Sequence, residues 1–166
     1  MKCKELLRFP NKAIRATAIR KYMNKYGYQY AVCFSCGHAS DELRKAGVPT
    51  LAIAPNGDLE AKRWFPQGEV ANTFKGFFDA TSGHLPMELM EIIGQEYRAY
   101  LGEIPEYNYI PSGSGETLVC LKMAYPGKRF CAVYNIDDAT RYDEENPLNA
   151  IVAAIAEKII FIKKTE

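Results

Sequence analysis

Apolar positions along the chain alternate between two periods. Ile14, Ala18, Ile19, Tyr22 and Met23 recur at helical spacing, and Gly27 follows as a stop, so the pattern predicts a helix over 13–26. Tyr30 to Phe34 is an uninterrupted apolar run of strand length, then Ser35-Cys36-Gly37-His38 forms a tight turn into a helix over 39–46 closed by Gly47. Thr50 to Ala54 is the next strand, ended by Pro55-Asn56-Gly57-Asp58. Residues 58–84 carry weaker patterns, with a short helix near 60–64 and a strand near 69–73 as the readings. Pro86 suits the first turn of a helix running to about Leu101. Tyr107 to Ile110 is then a strand, 117–125 a helix stopped by Pro126-Gly127, Phe130 to Tyr134 a strand, 149–157 a helix and Ile159 to Ile162 a last strand.

Strands separated by helices of this length predict an α/β fold, a three-layer αβα arrangement with a mainly parallel sheet. With no interdomain linker or internal repeat, residues 1–166 read as a single compact α/β domain. In such sheets ligands sit at the carboxyl ends of the strands, in the strand-to-helix turns. Two of those turns are chemically distinctive, residues 35–38 and residues 112–117.

Composition adds exclusions. The net charge of +1, with acidic and basic residues interleaved, gives no strong nucleic-acid signature and no footprint for an anionic membrane. No apolar run is long enough to span a bilayer and no leader pattern opens the chain. The five cysteines are scattered, which suits reduced thiols and a cytoplasmic location. Cys33 and Cys36 form a C-x-x-C near His38, but no second ligand pair lies close in sequence, so no metal site is expected. The eleven tyrosines lie mostly in apolar runs and read as core or interface residues, leaving open an interaction module with a tyrosine-rich surface.

Three segments carry candidate chemistry. Gly113-Ser114-Gly115-Glu116-Thr117 leaves a strand and opens a helix. Its glycines let backbone N–H groups converge, the helix end adds unpaired donors, and the Ser114 and Thr117 hydroxyls complete a shell suited to phosphate. The same residues also serve as a plain turn capped by Ser114, and Glu116 has to direct its charge away from any bound anion. Ser35-Cys36-Gly37-His38 has the same placement and is either a carboxylate cradle or a capped helix start. Lys12, in Asn11-Lys12-Ala13-Ile14-Arg15, is either an ordinary solvated lysine or an amine that forms a Schiff base with an aldehyde. Thr81-Ser82-Gly83-His84 is a further polar loop, either a capped turn or a contributor of His84 as a general acid or base.

In this order, the segments 11–15, 35–48, 88–95 and 113–117 resemble the tryptophan-synthase-β superfamily, the fold-type II pyridoxal-phosphate enzymes. That family has a lysine followed by arginine at a helix start, a Ser-Ser/Thr-Gly-Asn turn, and a distant Gly-Ser/Thr-Gly-Gly-Thr loop after a strand. The resemblance implies pyridoxal 5'-phosphate as cofactor, with Lys12 as the Schiff-base lysine and Gly113, Ser114, Gly115, Glu116 and Thr117 around the phosphate. It places Ser35, Cys36, Gly37 and His38 on the substrate side; apart from the resemblance, the polar loop 81–84 adds Ser82 as a substrate contact and His84, with His38 and Lys12, as a candidate catalytic group. The implied activity is lyase-like, elimination, replacement or deamination on an amine or amino-acid substrate, free or carried on a larger molecule. His38 stands where the family has asparagine and Glu116 where it has glycine, and the chain is much shorter than the family's usual length. A homodimer is one way to complete the walls of so short a chain. The pyridine-nitrogen partner is sought among Asp137, Asp138 and Thr140. The rival reading is a non-catalytic domain holding a nucleotide or phosphometabolite at 113–117.

Overall fold

The computed structural model describes residues 9–34, 39–53, 76–81, 83–135 and 147–163. The expected helix at 60–64 and strand at 69–73 lie outside these residues. In chain order the elements are α1 (Asn11–Tyr26), β1 (Ala31–Phe34), α2 (Ala39–Lys45), β2 (Thr50–Ile53), β3 (Phe78–Asp79), α3 (Met87–Leu101), β4 (Tyr107–Ser112), α4 (Glu116–Ala124), β5 (Arg129–Asn135), α5 (Pro147–Ile155) and β6 (Lys158–Ile162). This is the mainly parallel, layered α/β fold that the alternation of helix and strand predicts. Strand pairing divides into two sheets of three, ordered β2-β1-β3 and β4-β5-β6, where a single sheet was expected. The described ladders are all parallel.

The central strands explain why the pattern was readable. In β5, Phe130, Cys131, Ala132, Val133 and Tyr134 are all buried, as are Ala31, Val32 and Cys33 in β1. A strand covered on both faces reads as a continuous apolar run, and these two are the middle strands of their sheets. β4, an outer strand, instead alternates between buried and half-buried positions over most of its length. β3 escaped notice because it is two residues long, pairing Phe78 with Ala31 and Asp79 with Val32.

Helices tie the two sheets into one body. α1 packs on α2 and α3, α3 packs on α4, and α4 packs on α5. A single apolar cluster runs from Ile19 and Leu43 through Leu89 and Ile93 to Leu118, Phe130 and Val152. Where α3 crosses α4, Gly94 lets the two backbones approach closely. A Cβ at 94 would stand 2.4 Å from the Cys120 carbonyl oxygen. Arg98 reinforces the same crossing, its Nη1 donating to the Ala124 carbonyl at 2.8 Å.

The buried face of α1 is rotated from the expected one. Ile14 and Tyr22 are only half-buried, and Arg15 joins Ala16, Ala18, Ile19 and Met23 inside. A charged residue on a buried stripe requires a partner, and the partner defines the site described next. Among the described residues no helix is long and apolar enough to cross a membrane.

The α3–α4 crossing yields a stability prediction. Gly94→Ala should lower stability by about 1–3 kcal/mol through overpacking, although alanine is the better helix former by about 1 kcal/mol. Urea unfolding of the variant against the parent chain measures it.

Candidate functional site

β4 ends at Ser112 and hands the chain to Gly113-Ser114-Gly115, from which α4 rises. Gly115 adopts φ +85°, and a Cβ there would lie 2.5 Å from Val152 Cγ2 on α5 and 3.4 Å from the Tyr134 hydroxyl on β5. Both the backbone conformation and the space therefore require glycine. Gly113 is exposed, with nothing within 4 Å of where its Cβ would be. The Ser114 hydroxyl accepts the Glu116 N–H at 3.3 Å. The first-turn N–H groups of a helix have no acceptor within that helix, so this end of α4 is a donor-rich corner.

The start of α1 is bonded onto that corner. Asn11 Nδ2 donates to Thr117 Oγ1 at 3.2 Å. One turn further on, Arg15 Nε donates to Glu116 Oε1 at 2.5 Å, and both side chains are almost fully buried, 2% and 6% exposed. Arg15 Nη2 also donates to the Ala80 carbonyl at 2.8 Å, just past the end of β3. The second carboxylate oxygen of Glu116 accepts the Gly83 N–H at 3.2 Å. Three segments distant in sequence thus meet on one carboxylate and one guanidinium, at the carboxyl ends of β3 and β4.

The electrostatics follow from this geometry. Burial acts to raise the Glu116 carboxyl, but the Arg15 charge and hydrogen bond, the nearby Lys12 ammonium and the Gly83 N–H outweigh it and hold the carboxyl below its usual range. Burial acts to lower Arg15, and Glu116 more than offsets it, so Arg15 is raised. Tyr97 of α3 reaches the Asn11 carbonyl, 3.5 Å away, and burial pushes its hydroxyl well above the ordinary tyrosine range.

The expected site residues fall into two groups. Lys12, Gly113, Ser114, Gly115, Glu116 and Thr117 come together where α1 meets α4. Lys12 is half-buried in the first turn of α1, close enough for its charge to act on Glu116. Glu116 turns inward to Arg15, which keeps its charge off the exposed edge at Gly113. His84 is buried beside Gly83, and its N–H donates to the Thr81 carbonyl at 3.2 Å. Ser35, Cys36, Gly37, His38 and Ser82 lie outside the described residues, as do Asp137, Asp138 and Thr140.

Sequence reasoning named Glu116 without its role, named Asn11 and Arg15 only as neighbours of Lys12, and did not single out Tyr97. No local signal marks the pair, since Arg15 shares its helix with Lys12, Arg20 and Lys21, and Glu116 opens its helix directly behind a polar turn. No family model matches the chain, and no curated protein matches it.

Removing either member of the ion pair strands the other in the interior. Arg15→Met and Glu116→Leu should each lose about 3–5 kcal/mol, while the double variant should regain most of it, since a matched apolar pair needs no desolvation. Urea unfolding in a double-mutant cycle reads this out. Because the folded Glu116 value lies below the unfolded one, its contribution is intact at neutral pH. It should fade as the pH falls through the usual carboxylate range and on to the lower folded value. Urea midpoints across acid pH should therefore decline less steeply in the double variant than in the parent chain.

Proposed function

We propose that the chain binds pyridoxal phosphate where α1 meets the start of α4 and uses it on an amine or amino-acid substrate, in elimination, replacement or deamination chemistry. The observation that carries this reading is the docking of the Lys12-bearing helix start onto the glycine turn, through Asn11 to Thr117 and Arg15 to Glu116. An amine beside a glycine turn at the carboxyl ends of the strands is what this chemistry would require, and the docking supports the reading in that way.

The donor set suits a phosphate monoester. Gly113 presents open backbone, Ser114 offers a hydroxyl beside it, Thr117 has the hydroxyl that accepts from Asn11, and the start of α4 brings the positive end of its dipole. The Glu116 carboxylate is paired with Arg15, and Lys12 contributes a further positive charge. Bound there, the cofactor would supply an electron sink for a bond at the substrate's α-carbon. Lys12 would meet the cofactor's aldehyde and, once the substrate amine has displaced it, carry a proton. His84 is the candidate for a second proton transfer, and residues 35–38 are the candidates for the substrate carboxylate.

A second reading has its own support. Lys12 acts on Glu116 as a charge, which is also what a lysine counter-ion to phosphate would do. On that reading the chain holds a nucleotide or phosphometabolite and performs no chemistry.

Two measurements separate the readings. Mixing the protein with pyridoxal phosphate should produce a near-visible absorbance band, and borohydride should fix the added mass to the Lys12 peptide. Lys12→Ala should abolish both. A colourless protein that binds nucleotides, and whose Lys12→Ala variant binds them only about tenfold more weakly, as expected for one lost charged hydrogen bond, would establish the second reading instead.

A further inference from the structure

We infer that Glu116 is the positioning residue of this site, holding the loop that carries His84 in register with the glycine turn; this rests on the cofactor reading above for its consequence, though not for its geometry. Glu116 lies on the turn side of α4, whereas Gly83 and His84 lie on the connection between β3 and α3. Its carboxylate divides its oxygens, Oε1 to Arg15 Nε at 2.5 Å and Oε2 to the Gly83 N–H at 3.2 Å. Arg15 in turn grips the Ala80 carbonyl at 2.8 Å, so the loop is held at both 80 and 83. The described residues around these anchors are bonded locally. Thr81 bonds Asp79 through both its N–H and its hydroxyl, the His84 N–H returns to the Thr81 carbonyl, and Gly83 takes φ +92°. The imidazole following that glycine is buried, 8% exposed. Of the two side chains that grip this loop, Glu116 is the one that ties it directly to the glycine turn, at the residue next to His84.

The chemistry of the carboxylate makes the arrangement specific. An ionised carboxylate accepts on both oxygens, whereas glutamine has one acceptor oxygen and an NH2 that only donates. In Glu116→Gln the oxygen can serve Arg15 or Gly83, not both. The guanidinium is the stronger claimant, which leaves the Gly83 N–H facing a donor and frees the loop.

The test compares the parent chain with Glu116→Gln, well below the unfolding temperature. The chain has two histidines, His38 and His84, so diethylpyrocarbonate modification can be assigned to each by peptide mapping. Modification of His84 should accelerate about tenfold or more, the scale of a lost charge-assisted hydrogen bond, and pyridoxal-phosphate affinity should fall by a similar factor. The thiol of Cys131, buried in β5, should stay as unreactive as in the parent, because general loosening is not the mechanism. A folded variant with His84 as slow as in the parent overturns the inference, and if the parent still binds pyridoxal phosphate the cofactor reading survives it. A parent that binds no cofactor while the variant exposes His84 does the reverse, upholding the positioning and sinking the cofactor. Should the variant not fold, hydrogen exchange on the parent decides. The Gly83 amide should be strongly protected, and exchange at the unprotected rate overturns the proposal.

Discussion

A guanidinium and a carboxylate buried together must each give up their water, at an effective cost of several kcal/mol per ion. The Arg15–Glu116 pair meets that cost with close geometry and with extra partners, the Ala80 carbonyl for the cation and the Gly83 N–H for the anion. The two residues are 101 positions apart, so the contact joins the first helix to the second half of the chain. Apolar residues of equal volume would hold these helices together about as well. What the ions add is direction. Leucine on α4 could slide against methionine on α1, but a fork of donors and a pair of acceptors fit in one register only.

That register matters because, among the described residues, no strand ladder joins the sheet β2-β1-β3 to the sheet β4-β5-β6. Within each sheet the ladders fix strand against strand. Between the sheets there is the shared apolar cluster, which is indifferent to small shifts, and the polar contacts of Arg15, Glu116 and Asn11, which are not. The polar contacts sit at the carboxyl ends of the strands, where open α/β sheets place ligands. Alignment of the two sheets and assembly of the site are thus one event.

Much of this fold was legible before any coordinates. β1 and the centre of β5 are apolar because they are the buried middle strands of their sheets, and Gly27 and Gly47 close their helices at positive φ. The division into two sheets was not legible, since β3 contributes two residues and no periodicity can be read from two. Nor was the ion pair. Arg15 is buried with Ala16, Ala18, Ile19 and Met23, but a hydrophobic period counts a charged residue as exposed and takes Ile14 and Tyr22 in its place. Glu116 was visible as an awkward charge beside a phosphate-type turn. Its resolution depends on an arginine a hundred residues away, and no local pattern carries that information. The glycine turn itself was found correctly as a strand-to-helix junction, because glycine there answers a local demand, the positive φ of Gly115.

The two close glycine contacts show how the corner is kept rigid. Gly94 brings α3 to within touching distance of the α4 backbone at Cys120, and Gly115 lets α5, through Val152, press against the start of α4. α4 is therefore held from two sides along its length and from a third, by α1, at its first turn. Donors on a helix fixed in this way point in set directions before any ligand arrives, so binding an anion there would cost little ordering. The same rigidity explains why a glutamate is tolerable at position 116. In a mobile turn its charge would swing toward the anion and repel it. Clamped to Arg15 it becomes part of the frame, and the positive field left at the edge comes from the helix end and from Lys12.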